Sequence, residues 1–183
     1  MEDVNANKGA EEITREVLNS LNNGFTYKDV SDDEKCFNKG DIKMQKDGKR
    51  DKYIDVKNDK ELANTGNFFV EAGGYSKIYG TRKQGWIGSH YDYVAVISQA
   101  EGIIWILSFK RLKEIYKDTK LTGGNKVTSE FWDNVKYGYT IPVYKAIELG
   151  AVLAKIEYEY DDWFEEYTPT NYSNKAALQA AAA

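Results

Sequence analysis

Thiol and imidazole groups are almost missing from this chain. Cys36 is the single cysteine and His90 the single histidine of 183 residues. One cysteine cannot form an internal disulfide, and a reducing, cytoplasmic setting follows as the expectation. Zinc sites built from Cys and His clusters are excluded, and a Ser-His-Asp triad would have to rest on His90 alone. Long apolar runs are also lacking. The longest, Ile103 to Leu107, is far too short to span a bilayer. No positively charged apolar leader opens the sequence. Nor is there an excess of positive charge. The formal net charge is −4, which argues against a surface coated uniformly with nucleic acid but leaves room for a local basic groove.

What is present is a globular composition, 42% hydrophobic and 14% aromatic. The length suits one domain with a real core. Residues 1–9 are expected to be loose, 10–166 to form the domain, and 167–183 to be a flexible tail or an appended alanine segment. Ile13, Val17 and Leu21 recur at helical spacing with Leu18 alongside, and the Asn-Asn-Gly at 22–24 stops that helix. Two short alternating segments follow, "DIKMQ" and "YIDVK", and "NFFVEA" reads as a third strand. The stretch "GGYSKIYGTRKQGWIGS" reads as a long loop or a broken helix. "YDYVAVIS" and "GIIWILS" read as buried central strands, and "FKRLKEIYKD" as an amphipathic helix. This order predicts an α/β (α+β) domain with a mixed sheet.

The hairpin between the first two strands can be read in detail. Ile42 and Met44 on one strand, and Ile54 and Val56 on the other, must share the core face. A two-residue Asp-Gly loop would place Asp41 opposite Ile54, on the buried side. A three-residue loop with Gly48 in the left-handed region pairs Lys46 with Arg50 and Ile42 with Ile54, and sets Asp41 opposite Asp55. The apolar pattern selects this second register. Asp41, Asp55 and Lys57 then share one polar face. Adjacent carboxylates repel unless a cation lies between them, and Mg²⁺ takes oxygen ligands at about 2.0–2.1 Å while needing only one or two carboxylates. Glu71 on the third strand reaches the same face if that strand neighbours the second; the other reading is an exposed strand carboxylate.

The "GD" at Gly40-Asp41, followed about a dozen residues later by "DVK" at Asp55-Val56-Lys57, resembles the PD-(D/E)xK, or restriction-endonuclease-like, nuclease superfamily. The upstream helix and downstream apolar strands fit the same layout, and "DVKNDKELANTGNFFVE" looks like a phage-type member. Gly40 stands where the family often has proline, and Asp55 where glutamate is more common. The resemblance implies a mixed central sheet flanked by helices and Mg²⁺- or Mn²⁺-dependent hydrolysis of DNA phosphodiesters. Asp41 and Asp55 would hold the metal, with Glu71 as a further ligand, and Lys57 would orient the attacking water or steady the developing charge. A helix glutamate often joins such sites. Glu11, Glu12 and Glu16 are the candidates, and Glu16 is favoured because it borders the apolar stripe. Lys43, Lys60, Thr65, Asn67, Arg82 and Lys83 are the candidate nucleic-acid contacts, with Trp86 among the aromatics able to stack on bases. Double-strand cutting with one site per chain suggests a homodimer. The alternative is a non-catalytic nucleic-acid or protein-binding module on a degenerate nuclease fold.

Overall fold

In the computed structural model, residues 2–36, 39–118, 126–131, 134–161 and 165–182 are described. The elements run α1 (Glu2–Ser20), β1 (Thr26–Asp29), β2 (Ile42–Gln45), β3 (Lys52–Asn58), α2 (Leu62–Thr65), β4 (Asn67–Ser76) and β5 (Arg82–Gln84). They continue with β6 (Tyr93–Ser98), β7 (Ile103–Ser108), α3 (Phe109–Lys117), β8 (Lys126–Phe131), β9 (Asn134–Pro142), α4 (Val143–Glu148), β10 (Val152–Asp161), β11 (Glu166–Asn174) and α5 (Lys175–Ala182). The result is a mixed α/β fold, as the order of patterns predicts.

The larger sheet has seven strands in the order β1-β2-β3-β6-β7-β10-β11. All neighbours are antiparallel except β3 and β6, which run parallel. A parallel pair needs a crossover. Here the crossover carries α2, β4 and β5, and these strands join a second sheet with the order β5-β4-β9-β8.

Strand periodicity separates two cores. On β6 and β7, Ala95, Ile97 and Ile104 point to one face, where Ile13, Val17 and Leu18 of α1 cover them together with Ile54 and Val56. Val94, Val96, Trp105 and Leu107 point to the other face, against Phe68, Val70, Ile141 and the apolar stripe of α3 at Phe109, Leu112 and Ile115. Two-sided burial explains the near-continuous apolar runs of β6 and β7. α1 packs on β1 and β3 and also on β11, so the sheet curls around the helix. Among the described residues, no helix is long and apolar enough to cross a membrane.

Three expectations need correction. The third strand, β4, does not neighbour β3. That edge is taken by β6, and β4 pairs with β5 and β9 instead. The glycine-rich stretch read as a loop or broken helix contains the end of β4, all of β5 and a 3₁₀ turn at Trp86–Gly88. Trp86 is buried against Phe109, with ring centroids 6.2 Å apart, so it is a core residue and not a base-stacking platform. Regular elements occupy parts of both terminal segments: helix α1 begins at Glu2, and β11 and α5 run from Glu166 to Ala182. β11 is polar because it is an edge strand with little to bury, which hid it from a reading based on apolar alternation.

Candidate functional site

The β2–β3 hairpin adopts the register selected by its apolar residues: Ile42 pairs with Ile54, Lys43 with Tyr53 and Met44 with Lys52. Gly48 holds φ +71°, the left-handed turn conformation that this loop requires. The ladder ends at the Ile42–Ile54 pair, and Asp41 lies in the bend just before it, close enough to Asp55 for the two carboxylates to repel each other. Asp41 is fixed by three hydrogen bonds. Its N–H donates to Ile54 O (2.9 Å), its carbonyl accepts from Val30 N–H (2.8 Å), and its Oδ2 accepts from Val56 N–H (2.7 Å). Gly40 makes this approach feasible: it sits at φ +129°, and a Cβ there would lie 2.8 Å from Ile54 O.

Ile54 and Val56 face α1, so Asp55 and Lys57 face the opposite side, towards the second sheet. Asp55 is 4% exposed. Lys57 Nζ lies 2.8 Å from Asp55 Oδ2. The contact is an ion pair between a buried carboxylate and a partly buried ammonium. The Tyr91 hydroxyl also interacts with this carboxylate. Burial pushes the Asp55 carboxyl up, against the pull of the neighbouring ammonium. For Lys57, burial disfavours the charge, but Asp55 beside it outweighs that and the amine is held above its ordinary value.

Glu71 enters from β4 across the gap between the sheets and lies in the field of Asp55. Lys136 of β9 pairs with it at 3.4 Å. Together with Lys57, Tyr91 and Asp59 these residues line an open cleft of about 550 Å³. The strand adjacency assumed for Glu71 is therefore absent, yet the side chain arrives at the cleft by another route.

The helix carboxylate coupled to the pair is Glu11. Burial first, then Asp41 and Asp29, push its carboxyl up to about 7, against a hydrogen bond from Ser31. Asp41 itself is pushed up to about 6, by burial and then by the Asp55 charge. Glu16 is five residues further along α1, about 140° around the helix from Glu11. Glu11 is thus the α1 carboxylate whose electrostatic coupling reaches Asp41, while the sequence reading favours Glu16.

The candidate nucleic-acid contacts lie on several different elements. Lys43 pairs with Asp51 at 2.7 Å. Lys60 is exposed in the bend after β3. Thr65 and Asn67 bond to each other's neighbourhood at the end of α2: Thr65 Oγ1 donates to Glu61 O (2.9 Å) and Asn67 Nδ2 to Thr65 O (2.7 Å). Arg82 is exposed on β5, and the Lys83 side chain lies outside the described residues. Asp29, Tyr91 and Lys136 were missed. Their only signal was tertiary: each is brought in by a strand pairing that the local pattern does not encode.

Glu11, Asp29, Asp41, Asp55 and Glu71 thus stand against Lys57 and Lys136, a surplus of carboxylates in a partly buried place. Among the described residues, no group of three or more His, Cys, Asp or Glu side chains is arranged to hold a metal ion. The donor set fits a hard cation that keeps most of its waters and needs one or two carboxylates, rather than a closed protein cage. Such a cation would relieve the raised Asp41 carboxyl, while Asp55 Oδ2 already faces the Lys57 ammonium. No family model, no curated protein and no solved structure matches this chain.

Proposed function

We propose that the chain is a metal-dependent endonuclease that hydrolyses phosphodiester bonds of DNA, on a restriction-endonuclease-like core formed by α1, β1, β2, β3 and β6. The observation that carries this reading is the proximity of Asp41 to Asp55 and Lys57: Asp41 accepts from Val56 N–H, its carboxyl feels both the Asp55 and the Lys57 charges, and Lys57 pairs with Asp55. The parallel β3–β6 pair and the coupling of Glu11 to Asp41 support it.

Asp55 and Asp41 would hold Mg²⁺ or Mn²⁺, with Asp41 oriented by its bond from Val56 N–H. Glu11, coupled to Asp41, and Glu71, coupled to Asp55, would be the further carboxylates near such an ion. Such an ion, when bound, polarises the phosphate and makes a bound water acidic. The chain's own contribution is positional and electrostatic. Lys57 remains protonated, because Asp55 holds its amine above the ordinary value. Its Nζ–H groups can therefore donate to the charge that develops on a phosphoryl oxygen, and they orient the attacking water. Lys136 keeps Glu71 at the cleft wall.

Supercoiled plasmid incubated with Mg²⁺ or Mn²⁺ tests the reading. Wild type is expected to nick or linearise it, and Asp41→Asn and Lys57→Met to lose this while keeping the circular dichroism of the parent. Undiminished cutting by either variant would overturn the assignment. A wild type that neither cuts nor binds Mg²⁺ in calorimetry would favour the non-catalytic module.

A further inference from the structure

A second concavity, of about 940 Å³, opens beside the carboxylate cleft, and Tyr91 lines both. Its walls come from three places distant in sequence. Lys39 immediately precedes Gly40-Asp41. Arg50 belongs to the hairpin loop, and Lys110, Lys113 and Lys117 belong to α3. Lys110, Lys113 and Lys117 follow the spacing i, i+3, i+7, so they form a ridge along one face of the helix, opposite the buried Phe109, Leu112 and Ile115.

The acidic side chains in this groove are already neutralised. Asp92 is paired with Arg50, Asp51 with Lys43 at 2.7 Å, and Glu114 with Arg111 at 2.8 Å. No carboxylate among the described residues forms an ion pair with Lys39, Lys110, Lys113 or Lys117. Lys113 is positioned by its bond to Ser89 O (2.7 Å) and lies over the Phe109 ring, while Lys39 lies over the Tyr53 ring. On a chain of net charge −4, four ammonium groups without a close ion pair around one groove, with Glu114 the carboxylate that feels Lys110 and Lys117, are a local excess of positive charge. Repeated phosphate charges along a strand match such a row, whereas a single small anion would engage only one end of it.

We infer that this groove is the track for the phosphodiester backbone, with Lys110, Lys113, Lys117 and Lys39 contacting successive phosphates and Tyr91 marking the point where the strand passes into the carboxylate cleft. The inference rests on the nuclease reading for its direction, and it replaces the scattered contacts suggested by the sequence with one continuous surface.

The test reads binding without cleavage. Fluorescence anisotropy in EDTA follows a labelled oligonucleotide, single-stranded or annealed, at about 0.1 M salt. Lys110→Glu/Lys117→Glu changes two exposed side chains and is expected to weaken binding about tenfold or more. It should also flatten the plot of log K against log salt by about 1.4 for a single strand or about 1.8 for a duplex. Lys28→Glu, exposed on the edge strand β1, is expected to leave both unchanged. Loss in the single-strand arm alone assigns the groove to an unpaired strand, and loss in both arms assigns it to a backbone that either form presents. Wild-type affinity in the double variant, or no binding by wild type in either arm, would overturn the inference. A chain that binds through these lysines but cuts nothing leaves the groove standing and removes the nuclease assignment, so the two failures are distinguishable.

Discussion

Gly40 and Gly48 both hold positive φ but answer different demands. Gly48 is needed only for its backbone conformation, since an added Cβ would meet nothing within 4 Å. Gly48→Ala is expected to cost about 1 kcal/mol in urea denaturation. At Gly40 a Cβ would meet the Ile54 carbonyl at 2.8 Å as well. Gly40→Ala should cost about 3 kcal/mol and shift Asp41. Proline, which the resemblance leads one to expect here, cannot adopt φ +129°, so this chain presents its first aspartate by a different backbone path. The carboxyls of Asp41 and Glu11 make stability depend on pH in a defined sense. Both are raised above their ordinary values of 3.8 and 4.5, to about 6 and about 7. The folded chain therefore binds more protons than the unfolded chain between about pH 4 and pH 7, and stability falls as pH rises through that window. In EDTA the melting temperature is expected to be lower near pH 8 than near pH 5, by roughly 2–4 °C per kcal/mol. Asp41→Asn should flatten the dependence, and Mg²⁺ should restore stability near pH 8 with little effect near pH 5. Scanning fluorimetry across pH checks all three; a melting temperature that rises from pH 5 to pH 8 would contradict the charge surplus.

Among the elements, the β2–β3 hairpin was legible because two independent local codes agree on it. Apolar alternation fixes which residues face inward, and the Asp-Gly turn fixes the loop length. β6, β7 and α3 were legible for a similar reason, since burial on two faces and a helical apolar stripe both leave their period in the sequence. β4 was misplaced because nearness in sequence suggests sheet neighbours, while the open edge of β3 goes to β6, whose Val94, Ala95 and Val96 are buried there in parallel register. β11 left no signal because an edge strand of Tyr, Thr and Asn residues buries little. It nevertheless covers β10 along most of its length, and Tyr167 packs on Tyr158 with centroids 5.8 Å apart. Ending the chain before Glu166 would bare the β10 edge, and light scattering is expected to show association together with a lower melting temperature.

At the scale of the molecule, charge is sorted rather than balanced. Carboxylates gather around the Asp41–Asp55 pair, and lysines without a close ion pair gather along α3. Neither grouping shows in the net charge of −4. The i, i+3, i+7 lysines of α3 were visible in the sequence, but nothing local placed them beside Arg50 and Tyr91. That juxtaposition depends on the antiparallel β6–β7 turn, which brings Phe109 N–H to Asp92 O at 3.2 Å. The crossover sheet has a consequence in time. β4 is made early and β9 late, with β6, β7 and α3 between them, and each supplies one side of the Glu71–Lys136 contact. During synthesis the hairpin bearing Asp41, Asp55 and Lys57 can close as soon as Asn58 has left the ribosome. The far wall of its cleft has to wait for residues 134–142. A nascent chain therefore carries its carboxylate pair with one side missing, and the cleft is completed only when the pairing that closes the second sheet is made.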